Sequence, residues 1–127
     1  MIKWAGWLIA LYGAAHTLGA LTVVGAGRHA GAWFTGALWQ DDFAAMSAAG
    51  SAYWFSLGSF GIPLTVVGLT VLWLGRRGIK PPLFIPYILG TLTAVDAVIL
   101  PLTPWPIILI ANGLLLAGTR RHAANPT

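Results

Sequence analysis

His16 and Asp96 are the acid or base side chains that interrupt long apolar stretches of this chain. Imidazole and carboxyl groups are common general acids and bases in catalysis. Ionisable residues in such stretches are costly, so they usually face a protein interior or a wet cavity where they find partners. His16 and Asp96 are therefore the candidate catalytic residues.

The rise per residue of a helix gives the depth of each polar group along its apolar stretch, and two further polar groups are expected at the depth of His16 and Asp96. His16 lies about 18 Å and Asp96 about 20 Å from the cytoplasmic ends of the first and third apolar stretches. Ser59 and Asn112 lie about 10 Å from the outer ends of the second and fourth stretches, which is the same depth. Each of the four stretches thus offers one polar group to a single layer. The candidate substrate-binding residues are Asn112, Ser59, Trp39, Trp33, Tyr53 and Thr93.

Two interpretations of this layer stay open. If His16 and Asp96 meet, they form an ion pair, or a neutral hydrogen-bonded pair in which desolvation keeps Asp96 protonated. The polar groups then either form a site for a substrate or ion, or satisfy one another and fix the register of the helices.

Several other kinds of site are excluded by residue type and position. The chain has no Cys, which excludes disulfides, thiolate metal ligands and thiol nucleophiles. No phosphate-binding loop, nucleophile elbow or zinc-protease helix occurs, and the sequence predicts no metal and no cofactor. The seven Lys and Arg residues form no continuous basic patch, so nucleic acid is not an expected partner.

The composition indicates a membrane protein. Hydrophobic residues make up 57% of the 127 residues and charged residues only 8%, whereas soluble domains carry about 25% charged residues. So few charged side chains cannot cover a globule in water, which makes lipid the expected surroundings of much of the surface.

The expected fold class is all-α membrane, a four-transmembrane-helix bundle that forms one domain over residues 1–127. Apolar stretches at about 4–26, 52–75, 83–101 and 105–118 are each near the length needed to cross a hydrocarbon core of about 30 Å. The outer segment between the first two should contain a short amphipathic helix. We expect that helix to begin near Asp41 or Asp42, to present Phe43 and Met46 on one face, and to end before Gly50.

The distribution of basic residues predicts the orientation in the membrane. Six of the seven lie before the first stretch, between the second and third, or after the fourth: Lys3, Arg76, Arg77, Lys80, Arg120 and Arg121. Because positive charge favours the cytoplasmic side, both termini are expected in the cytoplasm, with the chain in the plasma (inner) membrane.

Small residues recur along the first stretch in a helical pattern. They are Gly6, Ala10, Gly13, Thr17 and Ala20. Such spacing is typical of a surface where two membrane helices approach closely. Trp4, Leu11 and Leu18 lie on the opposite side, so the small residues and the neighbouring His16 should face the protein interior.

The chain resembles a family of short four-span bacterial membrane proteins of unassigned function. The resemblance rests on Trp4-Ala-Gly-Trp, Gly13, His16-Thr17 and the Leu100-Pro101 pair before a final Trp-containing helix. It covers nearly the whole chain. It implies the four-helix architecture and directs attention to His16, and it supplies no activity.

Three functions are compatible with these observations. The first is a membrane-embedded isomerase or protonation-initiated cyclase that acts on an apolar, isoprenoid- or sterol-like substrate, with Asp96 as the acid and His16 as the base or orienting group. The second is an oligomeric transporter or channel for a small molecule or ion. The third is a non-catalytic accessory subunit. The expected partners are membrane lipid, an apolar small molecule and, as an open alternative, further copies of the chain.

Overall fold

The computed structural model describes the backbone of residues 1–124 and the side chains of residues 1–121. Within that part the chain is helical and contains no strand, which confirms the all-α prediction. The α-helices are α1 (Ile2–Leu21), α2 (Ala30–Trp33), α3 (Ala48–Phe55), α4 (Gly61–Arg76), α5 (Phe84–Ile99) and α6 (Trp105–Ala124). A short 3-10 helix, Ala26–His29, precedes α2.

The stretch expected as one helix at 52–75 is divided into the end of α3 and all of α4. The hydroxyl of Ser56 donates to the carbonyl of Ala52 at 2.6 Å, and such local bonds compete with continuation of the helix. Gly58 and Gly61, close by, have low helix propensity. The chain therefore leaves the helix after Phe55 and resumes it at Gly61.

The other helices differ from the expected boundaries mainly at their ends. α1 ends at Leu21 rather than near residue 26, and α6 continues to Ala124 rather than ending near 118. Hydropathy marks the apolar part of a helix, whereas the backbone hydrogen bonds of α6 continue through the basic residues after it. α4 ends in a left-handed glycine: Gly78 has φ 69°, and Ile79 N donates to Leu74 O at 2.9 Å.

The expected amphipathic helix beginning near Asp41 or Asp42 is not formed: residues 41–47 contain a turn at 43–44 and a bend at 45, but no helix. Asp41 instead accepts hydrogen bonds from the amide and hydroxyl of Ser47, at 3.0 and 3.1 Å. Ser47 in turn caps α3 by accepting from Gly50 N at 3.0 Å. Asp41 thus stabilises Ser47, the N-cap residue of α3, which lies six residues after Asp41.

The described contacts divide the chain into two compact units. Unit 1 comprises Met1–Tyr12 and Leu64–Thr127, and unit 2 comprises Gly13–Pro63, so α1 contributes to both. The core of unit 1 contains Ala5, Ile9, Leu64, Val71, Ile108, Ala111 and Leu115. α1 and α4 approach closely in this unit, because a Cβ atom at Gly68 would lie 2.7 Å from both Cα and Cβ of Ala10.

Unit 2 is organised around α3, which packs against the 3-10 helix and α2. The indole nitrogen of Trp33 in α2 donates to the carbonyl of Ala49 in α3 at 2.9 Å. Gly61 lies against the last turns of α1, since a Cβ there would meet the Thr17 hydroxyl and lie 2.8 Å from Gly13 O.

The small residues of α1 are buried along its whole length, as the sequence pattern predicted. They are Gly6, Ala10, Gly13, Thr17 and Ala20, whereas Trp4 and Leu18 are exposed.

None of the described helices is by itself long and apolar enough to qualify as a membrane span. Ile2–Leu21 and Ala26–Trp33, joined at a bend of 58°, meet that criterion only as a pair.

Candidate functional site

Asp96 lies in unit 1, near the end of α5, with its side chain half-buried. Its carboxylate is close enough to the phenol of Tyr12 to act on it electrostatically. The Tyr12 ring contacts the indole of Trp105, with ring centroids 5.7 Å apart. Asp96 thus acts on one member of an aromatic pair formed by α1 and α6.

Asn112 and Thr93 lie in the buried part of the same unit, where only 5% and 1% of their surfaces are exposed. Asn112 Nδ2 donates to Thr93 Oγ1 at 3.5 Å, and Thr93 Oγ1 donates to Leu89 O at 2.7 Å. Asn112 Oδ1 is buried and has no hydrogen-bond donor among the described residues. An acceptor in that state carries a desolvation cost that a ligand with a hydroxyl or amine group would remove.

Thr93 and Asp96 are three residues apart on α5, so their side chains lie on neighbouring positions of one helix surface. Unit 1 therefore combines a carboxyl group, a phenol, a buried hydroxyl and an amide oxygen without a donor. Sequence reasoning selected three of these residues and missed Tyr12. The sequence feature that could have identified Tyr12 is its hydroxyl group, which lies one helical turn before His16 in an apolar stretch.

His16 lies in unit 2, where its ring is held by the chain around the break after α3. His16 Nε2 is 3.2 Å from the carbonyl oxygen of Phe55. A carbonyl oxygen only accepts, so Nε2 carries the hydrogen, and Nδ1 of the neutral ring has the lone pair. The ring also contacts Phe60, at a centroid distance of 4.1 Å, and the edge of Phe55 at 5.5 Å.

Ser59 lies in the break between α3 and α4 rather than within a helix, and its side chain is half-buried. Its amide makes a long hydrogen bond, 3.4 Å, to Ser56 O. His16 and Ser59 belong to unit 2, whereas Asp96 and Asn112 belong to unit 1. The approach of His16 to Asp96 stays a prediction from the sequence.

The aromatic candidates Trp33, Trp39 and Tyr53 all belong to unit 2. Trp33 and Tyr53 make an edge-to-face contact with ring centroids 5.7 Å apart. Trp39 is 90% exposed, and together with Tyr53 it lines a hollow of about 240 Å³ that also includes Asp41, Phe43 and Trp54. Trp33 is thus tied to the helix packing, while Trp39 is the more available of the two indoles.

Among the described residues, no three His, Asp or Glu side chains lie close enough together to hold a metal ion. The chemistry that the described groups can perform is hydrogen bonding and proton exchange. Asp96 and His16 are the groups suited to the second.

The chain was also compared with known proteins. No curated protein and no solved structure matches it. Residues 1–122 match a family of unknown function (DUF6463), which confirms the expectation of a family without an assigned activity. The chain belongs to that family.

Proposed function

We propose that this protein is an integral membrane protein whose Asp96 region performs acid–base chemistry on an apolar, membrane-dissolved molecule. The observation that carries the proposal is the electrostatic interaction of the Asp96 carboxyl group with the Tyr12 phenol, in a chain with so few charged residues. A carboxyl group in a helical and mainly apolar setting is a functional candidate by default.

The surface of α5 supports the membrane part of the proposal. Six of its large apolar side chains are at least half exposed, whereas Ile85 and Leu89 pack against the core. The exposed six are Phe84, Ile88, Leu92, Val95, Val98 and Ile99. A continuous apolar surface of this kind is unfavourable in water and typical of contact with lipid or another protein. The basic residues, grouped near both termini and the α4–α5 connection, support an orientation with these segments in the cytoplasm.

The residues around Asp96 favour proton transfer as the reaction class. In its protonated form, Asp96 would donate its proton to a carbon–carbon double bond of the substrate and generate a carbocation. Loss of a proton from a neighbouring carbon to the Asp96 carboxylate would then give the isomer and restore the acid. The Trp105 indole and Tyr12 phenol could stabilise the positive charge through their ring faces.

Asn112 would contribute to substrate binding rather than to the proton transfer. Its Oδ1 is the buried acceptor without a described donor, so it suits an alcohol-bearing molecule such as a sterol-like or isoprenoid alcohol. Thr93 would hold the Asn112 amide in place through its 3.5 Å hydrogen bond.

The test compares neutral lipid extracts from cells that produce the unaltered protein, Asp96→Asn or Asp42→Asn. Mass spectrometry and chromatography would resolve isomers of isoprenoid and sterol-like species. We expect the unaltered protein and Asp42→Asn to change the same isomer ratio, and Asp96→Asn to reduce that change by about 100-fold or more, since the amide cannot deliver a proton. Asp42 is exposed and bonded to Ala44 N, which makes it a matched control. Equal activity of Asp96→Asn and the unaltered protein would refute the proposal.

A further inference from the structure

Unit 1 contains a cavity of about 530 Å³ that the proposed chemistry does not use. It is bounded by the beginning of α1, the end of α4 with the loop after it, and the later part of α6. Its lining includes Lys3, Trp4, Ile79, Lys80, Gly118 and Arg121. The volume falls within the range of small-molecule sites, about 300–1,000 Å³.

Positive charge predominates among the described residues that line the cavity. Lys3, Lys80 and Arg121 line it together with Met1, and none of its described lining residues is acidic. The chain has only three acidic residues. The one in unit 1, Asp96, lies twelve residues beyond the start of α5, about 18 Å along that helix. An anion from outside the chain is therefore the natural counter-ion.

Two other basic residues of unit 1, Arg77 and Arg120, have partners within the chain. The guanidinium of Arg77 lies over the ring of Trp73, 4.6 Å from its centroid. Arg120 donates to the hydroxyl of Tyr87 at 3.3 Å. Arg77 and Arg120 thus contact aromatic side chains, whereas Lys3, Lys80 and Arg121 line the cavity.

The remaining lining is apolar or lacks side chains. Ile2, Trp4 and Ile79 supply hydrocarbon and indole surface. Gly75 and Gly118 allow the Ile2 side chain to pack closely, since a Cβ would lie 3.1 and 2.8 Å from its carbon atoms. Trp4 is 70% exposed, so it offers its indole both to the cavity and to the surroundings. A bound molecule would meet charge and apolar surface at the same time.

We propose that this cavity binds the phosphate group of an anionic amphiphile, with Lys3, Lys80 and Arg121 around the phosphate and the apolar chain against Trp4. Arg pairs with phosphate oxygens through two parallel hydrogen bonds, and Lys acts as a point charge, so the set suits a phosphate ester. Both a phospholipid headgroup and a soluble phosphate compound share this chemistry. The site does not depend on Asp96 or on the reaction proposed for it.

The experiment measures binding to the full chain, purified in a non-ionic detergent, by isothermal titration calorimetry. The probes are dihexanoyl phosphatidylglycerol, dihexanoyl phosphatidylcholine and inorganic phosphate. The test variant is Lys80→Gln with Arg121→Gln. The control is Arg76→Gln with Arg120→Gln, which removes the same charge from exposed positions near by that do not line the cavity. Thermal unfolding of each variant checks that the fold is retained.

We expect phosphatidylglycerol to bind more tightly than phosphatidylcholine, whose choline group would repel the three cations. The test variant should bind phosphatidylglycerol about thirtyfold more weakly, since two cations near a lipid surface contribute about 1 kcal/mol each. The control should change the affinity by less than about threefold. Weaker binding of inorganic phosphate than of phosphatidylglycerol would support an amphiphile as the ligand. Equal binding of the two would point to a soluble phosphate compound and overturn the assignment to an amphiphile.

Equal losses in the test and control variants would show that the charge acts diffusely and that the cavity is not a binding site. Unchanged affinity of a folded test variant would also overturn the proposal. So would equal affinities for phosphatidylglycerol and phosphatidylcholine.

Discussion

Asn112 Nδ2 donates a hydrogen bond of 3.5 Å to Thr93 Oγ1, and this bond links α6 to α5 in the buried part of unit 1. The two partners are not equivalent. Thr93 Oγ1 also donates to Leu89 O, whereas Asn112 Oδ1 has no donor among the described residues. Loss of one partner should therefore cost more than loss of the other.

Thr93→Val should lower the free energy of unfolding by about 1–3 kcal/mol, because it leaves the whole Asn112 amide buried without a partner. Asn112→Leu should cost less, since it removes the unpaired oxygen and leaves the Thr93 hydroxyl bonded to Leu89 O. Thermal and chemical unfolding in detergent, with the double variant to complete the cycle, would measure the difference. A larger loss for Asn112→Leu would mean that Asn112 Oδ1 has a partner, and would contradict this account.

Gly68→Ala should destabilise the protein by about 1–3 kcal/mol, because the added methyl group would overlap Ala10 where α1 and α4 approach. Gly113→Ala is the matched control. Gly113 lies within α6 with no atom within 4 Å of a Cβ, so the change should stabilise the helix by about 0.5–1 kcal/mol. If the unfolding temperatures of the two variants shift in the same direction, the close approach of α1 and α4 is refuted.

His16→Phe should loosen the end of α3, because Phe keeps the contact with Phe60 but cannot donate to Phe55 O. The expected cost is about 0.5–1.5 kcal/mol. Hydrogen exchange of residues 52–60, followed by mass spectrometry, would report it as faster exchange. His16→Gln retains a side-chain donor and is the control. Identical exchange in both variants would show that the hydrogen bond does not hold the helix end.

Reporter fusions test the proposed orientation. A reporter placed after residue 127 or between Arg77 and Lys80 should be cytoplasmic, and one placed near Ala44 should lie outside the cytoplasm, because the basic residues are grouped on one side of the apolar stretches. A signal from outside the cytoplasm at residue 127 would contradict the orientation.

Helix type and approximate position could be predicted from the sequence where a long apolar stretch is bounded by clear signals. The expected stretch 83–101 corresponds to α5, Phe84–Ile99, because prolines precede it and Pro101 follows it. The break between α3 and α4 was not predicted. Hydropathy does not register that the Ser56 hydroxyl competes for a backbone carbonyl.

The candidate site could be predicted only in part. Asn112 and Thr93 were both candidate substrate-binding residues, and a hydrogen bond of 3.5 Å joins their side chains. The electrostatic interaction of Asp96 with Tyr12 and the cavity lined by Lys80 and Arg121 were not predicted. Both depend on which helices are adjacent, and periodicity within one helix carries no such information.

The short lengths of α4 and α5 have a consequence for the membrane proposed to surround them. Each has 16 residues and is therefore about 24 Å long, shorter than a typical hydrocarbon core of about 30 Å. Such hydrophobic mismatch is relieved when neighbouring lipids compress, at a cost of a fraction of a kcal/mol per Å, or when the protein partitions into a thinner bilayer. The Ser56–Phe60 break and the end of α5 at Ile99 would thereby determine both the local thickness of the bilayer and the membranes in which the protein is most stable.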